Sequence, residues 1–124
     1  MTGVVRRGAG RGVGLGFPTA NLSEVATLLP AHGVYGGHTT LNGTRYPVAV
    51  SIGPNPTFGE HREKIECHID GFAGDLYDKM LQVDLLSEIR PLQSFDSIER
   101  LVQQIRDDVE TTRRLQPSCV AGDQ

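Results

Sequence analysis

Two periods of apolar residues divide this chain. In "KIECHID" the alternation is strict: Ile65, Cys67 and Ile69 fall on one side of an extended segment, Glu66, His68 and Asp70 on the other. "KMLQVDLLS" repeats the pattern with Leu81, Val83 and Leu85 on one face. "VYGGHTTL" and "TRYPVAVSI" are β-prone runs flanking Asn42-Gly43, and Asn-Gly at such a junction predicts a hairpin whose central residues take positive φ. Pro47 predicts an edge or a bulge in the second of these strands. Val4-Val5 reads as the last part of a strand that runs into a glycine-rich stretch. Residues 22–29 read as a helical turn stopped by Pro30. "GPNPTFGEHRE", "GFAGDLYD" and "EIRPLQSFDS" read as loops and turns.

Near the end the period changes. Ile98, Leu101, Val102, Ile105 and Val109 recur at the spacing of one helical face. Asp96 or Ser97 can cap this helix, with Glu99 three residues after Asp96 as in a capping box. Arg113 and Arg114 suit the negative end of its dipole. Short strands joined by Gly/Pro turns and followed by one helix predict a mostly β protein, a small antiparallel barrel with the helix packed on it. No helical pattern separates the strands, which excludes a βαβ series. The domain is expected to span residues 1–115, and "QPSCVAGDQ", without pattern, is expected to be a disordered tail over 116–124.

Length and composition narrow the function classes. A chain of 124 residues points to one domain with its own core. A net charge of −3 and 6 % aromatic residues without tryptophan disfavour a nucleic-acid binder, including a small RNA-binding barrel. The charge is uneven: Arg6, Arg7 and Arg11 all precede the first carboxylate, Glu24, so an anion should meet the N-terminal loop. Cys67 and Cys119 lack any metal-ligand or disulfide spacing, and a reducing compartment is the default. No apolar run approaches the roughly 18 residues that cross a membrane, and no signal-peptide core follows Met1. A cytoplasmic monomer is expected.

The glycine stretch "RRGAGRGVGLGFPTAN" carries the candidate chemistry. It lacks the Gly-x-Gly-x-x-Gly spacing and the helix start of a dinucleotide fingerprint, and it lacks a P-loop lysine. Glycine at alternate positions instead clears one side of an extended segment of Cβ atoms, letting backbone N–H groups approach an anion. Arg7 or Arg11 could add bidentate contacts. Thr19 and Asn21, two residues apart, place two hard oxygen donors on one side of the chain. Mg²⁺ takes one or two such donors when a nucleotide brings the remaining charge. Equally, the pair could cap the turn that follows.

"GAGRGVGLGFPTANL" resembles the signature of riboflavin kinases, which also occur as the C-terminal half of bacterial bifunctional FAD synthetases. The resemblance continues through "LPAHGVYGG", "VSIGPNPTFG", "IECHIDGFAGDLYD" and "IRPLQSFDSIERLVQQIRDDVETTRRL", and so covers residues 3–115. It implies a six-stranded Greek-key barrel with a C-terminal helix. It also implies transfer of the γ-phosphoryl group of ATP to the 5′-hydroxyl of riboflavin, giving FMN, with Mg²⁺ or another divalent cation. On this resemblance Thr19 and Asn21 hold the metal, and Gly8, Gly10, Arg11, Gly12 and Gly16 with Thr19 bind the nucleotide. Glu66 matches the catalytic carboxylate, and Arg90 with the loop to Phe95 matches a flap over the flavin.

The residues themselves leave some roles open. Glu66 on the face opposite Ile65 and Cys67 can reach a substrate hydroxyl, or it can form a cross-strand ion pair. His68 can touch the nucleotide, orient Glu66, or be a surface histidine. Arg90 can meet phosphate or cap a carbonyl, while Phe95 and Tyr77 suit either a flavin ring or ordinary packing. Family members have an earlier start and a glycine where this chain has Asp78; a clipped first strand would leave a barrel edge open. A barrel that binds flavin or nucleotide without catalysis is the alternative, and retention of Thr19, Asn21 and Glu66 together argues against it.

Overall fold

The alternating segments become strands β1 (Thr2–Arg6), β2 (Thr19–Ser23), β3 (Gly33–Leu41), β4 (Thr44–Ile52), β5 (Ile65–Ile69), β6 (Met80–Gln82) and β7 (Asp84–Arg90). The segment with helical period becomes one helix, α1 (Ile98–Leu115). The computed structural model describes residues 1–6, 19–23, 25, 30–54, 64–72, 76 and 79–116. The sequence readings for the glycine loop, Tyr77, Asp78, Cys119 and most of the Gly53–Glu63 loop lie outside these residues, as does the tail over 117–124.

Neighbouring strands are antiparallel, in the order β6-β1-β2-β5-β4-β3-β7. The two strands at the ends of this order are consecutive in the chain, with only Val83 between them. The sheet therefore curls until its ends meet on one stretch of backbone. Thr39 Oγ1 of β3 donates to the Gln82 carbonyl of β6 at 2.6 Å across that meeting. The expected "KMLQVDLLS" strand is thus two ladder segments, because Val83 is where the chain changes partner from β1 to β3. Counted as one bent strand they give the expected six; counted as ladders they give seven.

Several local expectations change. β1 is bonded on both sides, to β2 and β6, so no barrel edge opens there. Pro47 lies in a central strand, yet at the end of its β5 ladder: the first register pair is Val48 with Ile69. Its carbonyl accepts from Asp70 N–H at 2.9 Å on that side, where the N–H that proline lacks would also point. Leu22 and Ser23 belong to β2 rather than to a helical turn, since Leu22 pairs with both Val5 and Ile65. Glu88, Ile89 and Arg90 extend β7 instead of opening a loop, and the strand stops where Pro91 removes a donor. Asn42 and Gly43 do take positive φ, 52° and 83°, closing the β3–β4 hairpin as the Asn-Gly signal requires.

Period two sorts the side chains into two interiors. Inside the barrel, Val5, Leu22, Val48, Val50, Ile52, Ile65, Cys67, Ile69, Leu81 and Val83 form one apolar cluster. On the outside, Ala49 meets Leu101, Ile105 and Val109 of α1, with Phe95 and Val102 at the margin. The helix lies close because Gly36 faces it. A Cβ there would sit 2.7 Å from Leu115 Cδ1 and 3.1 Å from Thr112 Oγ1. Ser97 is the cap, accepting from Arg100 N–H at 3.2 Å. Asp96 instead pairs with the Arg100 side chain at 3.2 Å, so Glu99 has no capping box to complete.

Candidate active site

The outer sheet face carries an ordered row. Arg6, Asn21, Glu66, Ser51, Val34 and Arg90 are successive register partners across β1, β2, β5, β4, β3 and β7. Directly opposed residues of an antiparallel pair share a face, with Cβ atoms about 4.5–5.5 Å apart. Asn21 is therefore beside Glu66. One step along, Thr19 pairs with His68, and His68 with Ala49 beneath the helix. The Thr-x-Asn and Glu-x-His spacings of the sequence are thus matched to each other by one ladder.

A cleft lies over the part of this row that runs from Glu66 to Arg90, between the sheet, the segment after β7 and α1. Glu66, His68, Arg90 and Phe95 all line it, so four residues proposed from sequence meet in one cavity. Ser51 and Asp108 line it too and were not singled out. Each carried a signal: a serine at the outer-face position of an apolar strand, and an acid three residues after Ile105 inside the helical stripe. Val34, Leu92, Leu101 and Ile105 supply an apolar wall.

Asp108 is 3 % exposed and its charge is compensated. Arg90 Nε donates to Asp108 Oδ1 at 3.0 Å and Arg90 Nη2 to Oδ2 at 2.8 Å, a forked pair. Gln104 Nε2 donates to Asp108 Oδ1 at 3.1 Å, one turn back along α1. Arg90 Nη1 reaches the Pro91 carbonyl at 3.1 Å, and its Cζ stands 5.7 Å from the Phe95 ring centroid, within cation–π range. The carbonyl-capping and packing alternatives for Arg90 and Phe95 are therefore both occupied contacts, made at the wall of the cleft.

His68 is 8 % exposed, and burial pushes its pKa down to about 4; Asp108 opposes that shift and Arg90 adds to it. It is a neutral imidazole at physiological pH. On the other side of β5, burial pushes the Cys67 thiol up to about 12, with the charge of Glu66 adding to the shift. The thiol stays protonated and packs as a small apolar group.

The donors fit a hard divalent cation. Asn21 offers an amide oxygen next to the Glu66 carboxylate, and no group of three or more His, Cys, Asp or Glu capable of holding an ion occurs among the described residues. A set this small suits a divalent cation that brings ligands of its own, rather than an all-protein cage.

Comparison with known proteins agrees with the earlier resemblance. A family model for riboflavin kinase, named Flavokinase, matches residues 1–116. The chain is similar to riboflavin kinase of Homo sapiens, 39 % identical over 119 residues that cover 90 % of this chain and 77 % of that protein. Its fold is similar to the crystal structure of a macrolide-efflux protein from Streptococcus pneumoniae, with TM-score 0.80 and 36 % identity over 93 % of this chain and 38 % of that one. It is also similar to riboflavin kinase from Trypanosoma brucei, with TM-score 0.59 and 28 % identity over 91 % and 76 % of the two chains.

Proposed function

The chain belongs to the riboflavin kinase family, and from that premise we infer that the outer-face cleft is where ATP phosphorylates riboflavin to FMN. One observation supports the assignment of the site: the ladder between β2 and β5 pairs Asn21 with Glu66 and Thr19 with His68, and Glu66 and His68 line the cleft together with Arg90.

Phosphoryl transfer needs an aligned hydroxyl and cover for phosphate charge more than covalent help from the protein. We assign Glu66 as general base. Its carboxylate accepts the proton of the 5′-hydroxyl as the new O–P bond forms and the bond from γ-phosphorus to the bridging oxygen of ADP breaks. Asn21 with Thr19 would hold Mg²⁺, which supplies neutralisation of the phosphate oxygens when bound. Neutral His68 keeps the floor of the cleft free of a second titrating charge near Glu66.

Distance sets the direction of the substrate. Glu66 and Arg90 are three strand steps apart, roughly 14 Å along the sheet at about 4.8 Å per step. Their backbones stand at the two ends of the part of the row that the cleft covers. With the alcohol at Glu66, the ring of riboflavin lies toward Arg90, Phe95 and the apolar wall of Leu92, Leu101 and Ile105. The nucleotide then approaches from the Asn21 side, where Arg6 is next in the row. A reducing, cytoplasmic location fits a chain whose described cysteine, Cys67, is a free buried thiol; a monomer acting on small molecules, without nucleic acid, is our working assembly.

The test is FMN formation from riboflavin, ATP and Mg²⁺. Glu66→Gln should lower kcat roughly 10²–10⁴-fold, the usual value of a positioned general base, while flavin binding persists. Undiminished turnover in Glu66→Gln overturns the base assignment. Flavin binding without any turnover in the unaltered protein favours a carrier.

A further inference from the structure

We propose that Asp108 is a positioning residue for the flavin: it holds the Arg90 guanidinium in a fixed orientation at the wall of the cleft formed by the end of β7 and α1. The proposal rests on the substrate direction argued above, but concerns a residue that no step of the phosphoryl transfer uses.

Three observations lead to it. First, Asp108 occupies a position on the buried stripe of α1, where its neighbours Leu101, Ile105 and Val109 are apolar. A buried ion pair stabilises a fold no better than well-packed apolar residues of the same volume. Packing alone gives no reason for a carboxylate here. Second, the pair is fixed at both ends. Arg90 is the last residue of β7, its backbone registered to Val34, and Gln104 holds one oxygen of Asp108. Neither partner can swing without the other. Third, the pair faces the cavity, since Arg90 and Asp108 both line it and Arg90 lies over Phe95.

The donor inventory says what the arrangement offers. A guanidinium has five N–H groups. Nε and one N–H of Nη2 go to Asp108, and one of Nη1 goes to the Pro91 carbonyl. One N–H on each terminal nitrogen remains, held in the plane that Asp108 dictates. These are the donors left to meet an acceptor on the flavin ring. Without the carboxylate the same guanidinium would rotate, and the segment from Pro91 to Phe95 would lose its anchor on α1.

Asp108→Asn tests this while keeping the side-chain volume. Riboflavin Kd, from quenching of flavin fluorescence, and riboflavin KM should both rise about tenfold or more, as expected for loss of a charge-assisted hydrogen bond. The KM for ATP should stay within about twofold, because the nucleotide end lies across the sheet. A merely structural role would lower the active fraction and leave both constants unchanged, and that result overturns the proposal. Arg90→Lys keeps the charge without the fork and should give the same riboflavin-selective rise. If Asp108→Asn does not fold, an unchanged riboflavin Kd in Arg90→Lys overturns the proposal by itself. Absence of FMN formation by the unaltered protein would sink the phosphotransfer reading. Normal turnover with an unaffected Asp108→Asn would sink only the role of Asp108.

Discussion

Glu66 and Cys67 are chain neighbours whose side chains enter two different interiors. Cys67 points into the barrel between Ile65 and Ile69, where every buried partner in the cluster is apolar. Glu66 points outward, to a layer where Leu101 and Ile105 share the space with Asp108, Arg90 and His68. The inner interior excludes charge, as the upward push on the Cys67 thiol records. The outer one admits charge because each buried ion is met by a forked partner. One strand can serve both because its period is two: the inner packing takes the odd positions of β5 and the cleft the even ones.

The strongest way to break this division is to cut into the inner face. Ile69 is 1 % exposed, and Ile69→Ala should cost roughly 2–5 kcal/mol through lost burial and the cavity left behind. Urea unfolding should show it as a lower midpoint with an unchanged slope. In the folded fraction the KM values for riboflavin and ATP should remain those of the parent. Glu66→Gln, three residues away, should do the reverse, with the rate falling and the urea midpoint holding. An Ile69→Ala protein of normal stability and altered KM would mean that the two interiors are not separable.

Legibility in the sequence follows the same divide. The β5 alternation and the Asn42-Gly43 turn were readable because period two and positive φ are properties of a few adjacent residues. Partner choice is not local. Nothing near Val83 announces that the chain leaves β1 for β3 there, and nothing near Pro47 announces that its missing donor falls beyond the last β5 pair. The site was legible residue by residue, as Glu66, His68, Arg90 and Phe95, but their meeting over one row depended on strand order. Asp108 is a lone acid inside the apolar stripe of α1, and its partner Arg90 lies 18 residues away on another element. Ser97 and Asp96 were equivalent as sequence; only the extended backbone at Ser97, φ −153° and ψ 157°, distinguishes the cap.

Acid separates the interiors more gently. The ordinary histidine pKa is about 6.5, and His68 in the fold is pushed down to about 4. The folded state therefore refuses a proton that the unfolded chain accepts. Stability from this source is fully present above pH 6.5 and is lost as pH falls toward 4. At about 1.4 kcal/mol per pH unit the ceiling is roughly 3 kcal/mol. Glu66 and Asp108 face His68 with negative charge and Arg90 with positive charge. His68→Asn should flatten the fall in urea midpoint between pH 6.5 and 5, where carboxylates contribute least. An unchanged slope in that variant would assign the acid sensitivity elsewhere.

The smallest expected effect concerns how the outer layer is held in place. Ser97 Oγ satisfies the Arg100 N–H at the start of α1, and loss of such a cap costs about 1 kcal/mol. Ser97→Ala should lower the urea midpoint accordingly, while Asp96→Ala, which removes only an exposed pair with Arg100, should hardly move it. Fraying the first turn loosens Leu101, which lines the cleft, but leaves the Arg90–Asp108 fork two turns further on. Riboflavin KM should therefore rise less in Ser97→Ala than in Asp108→Asn, with ATP KM unmoved in both. If the two rises were equal, the flavin end of the cleft would be held by the whole helix rather than by one carboxylate, and the outer layer would behave as a second core.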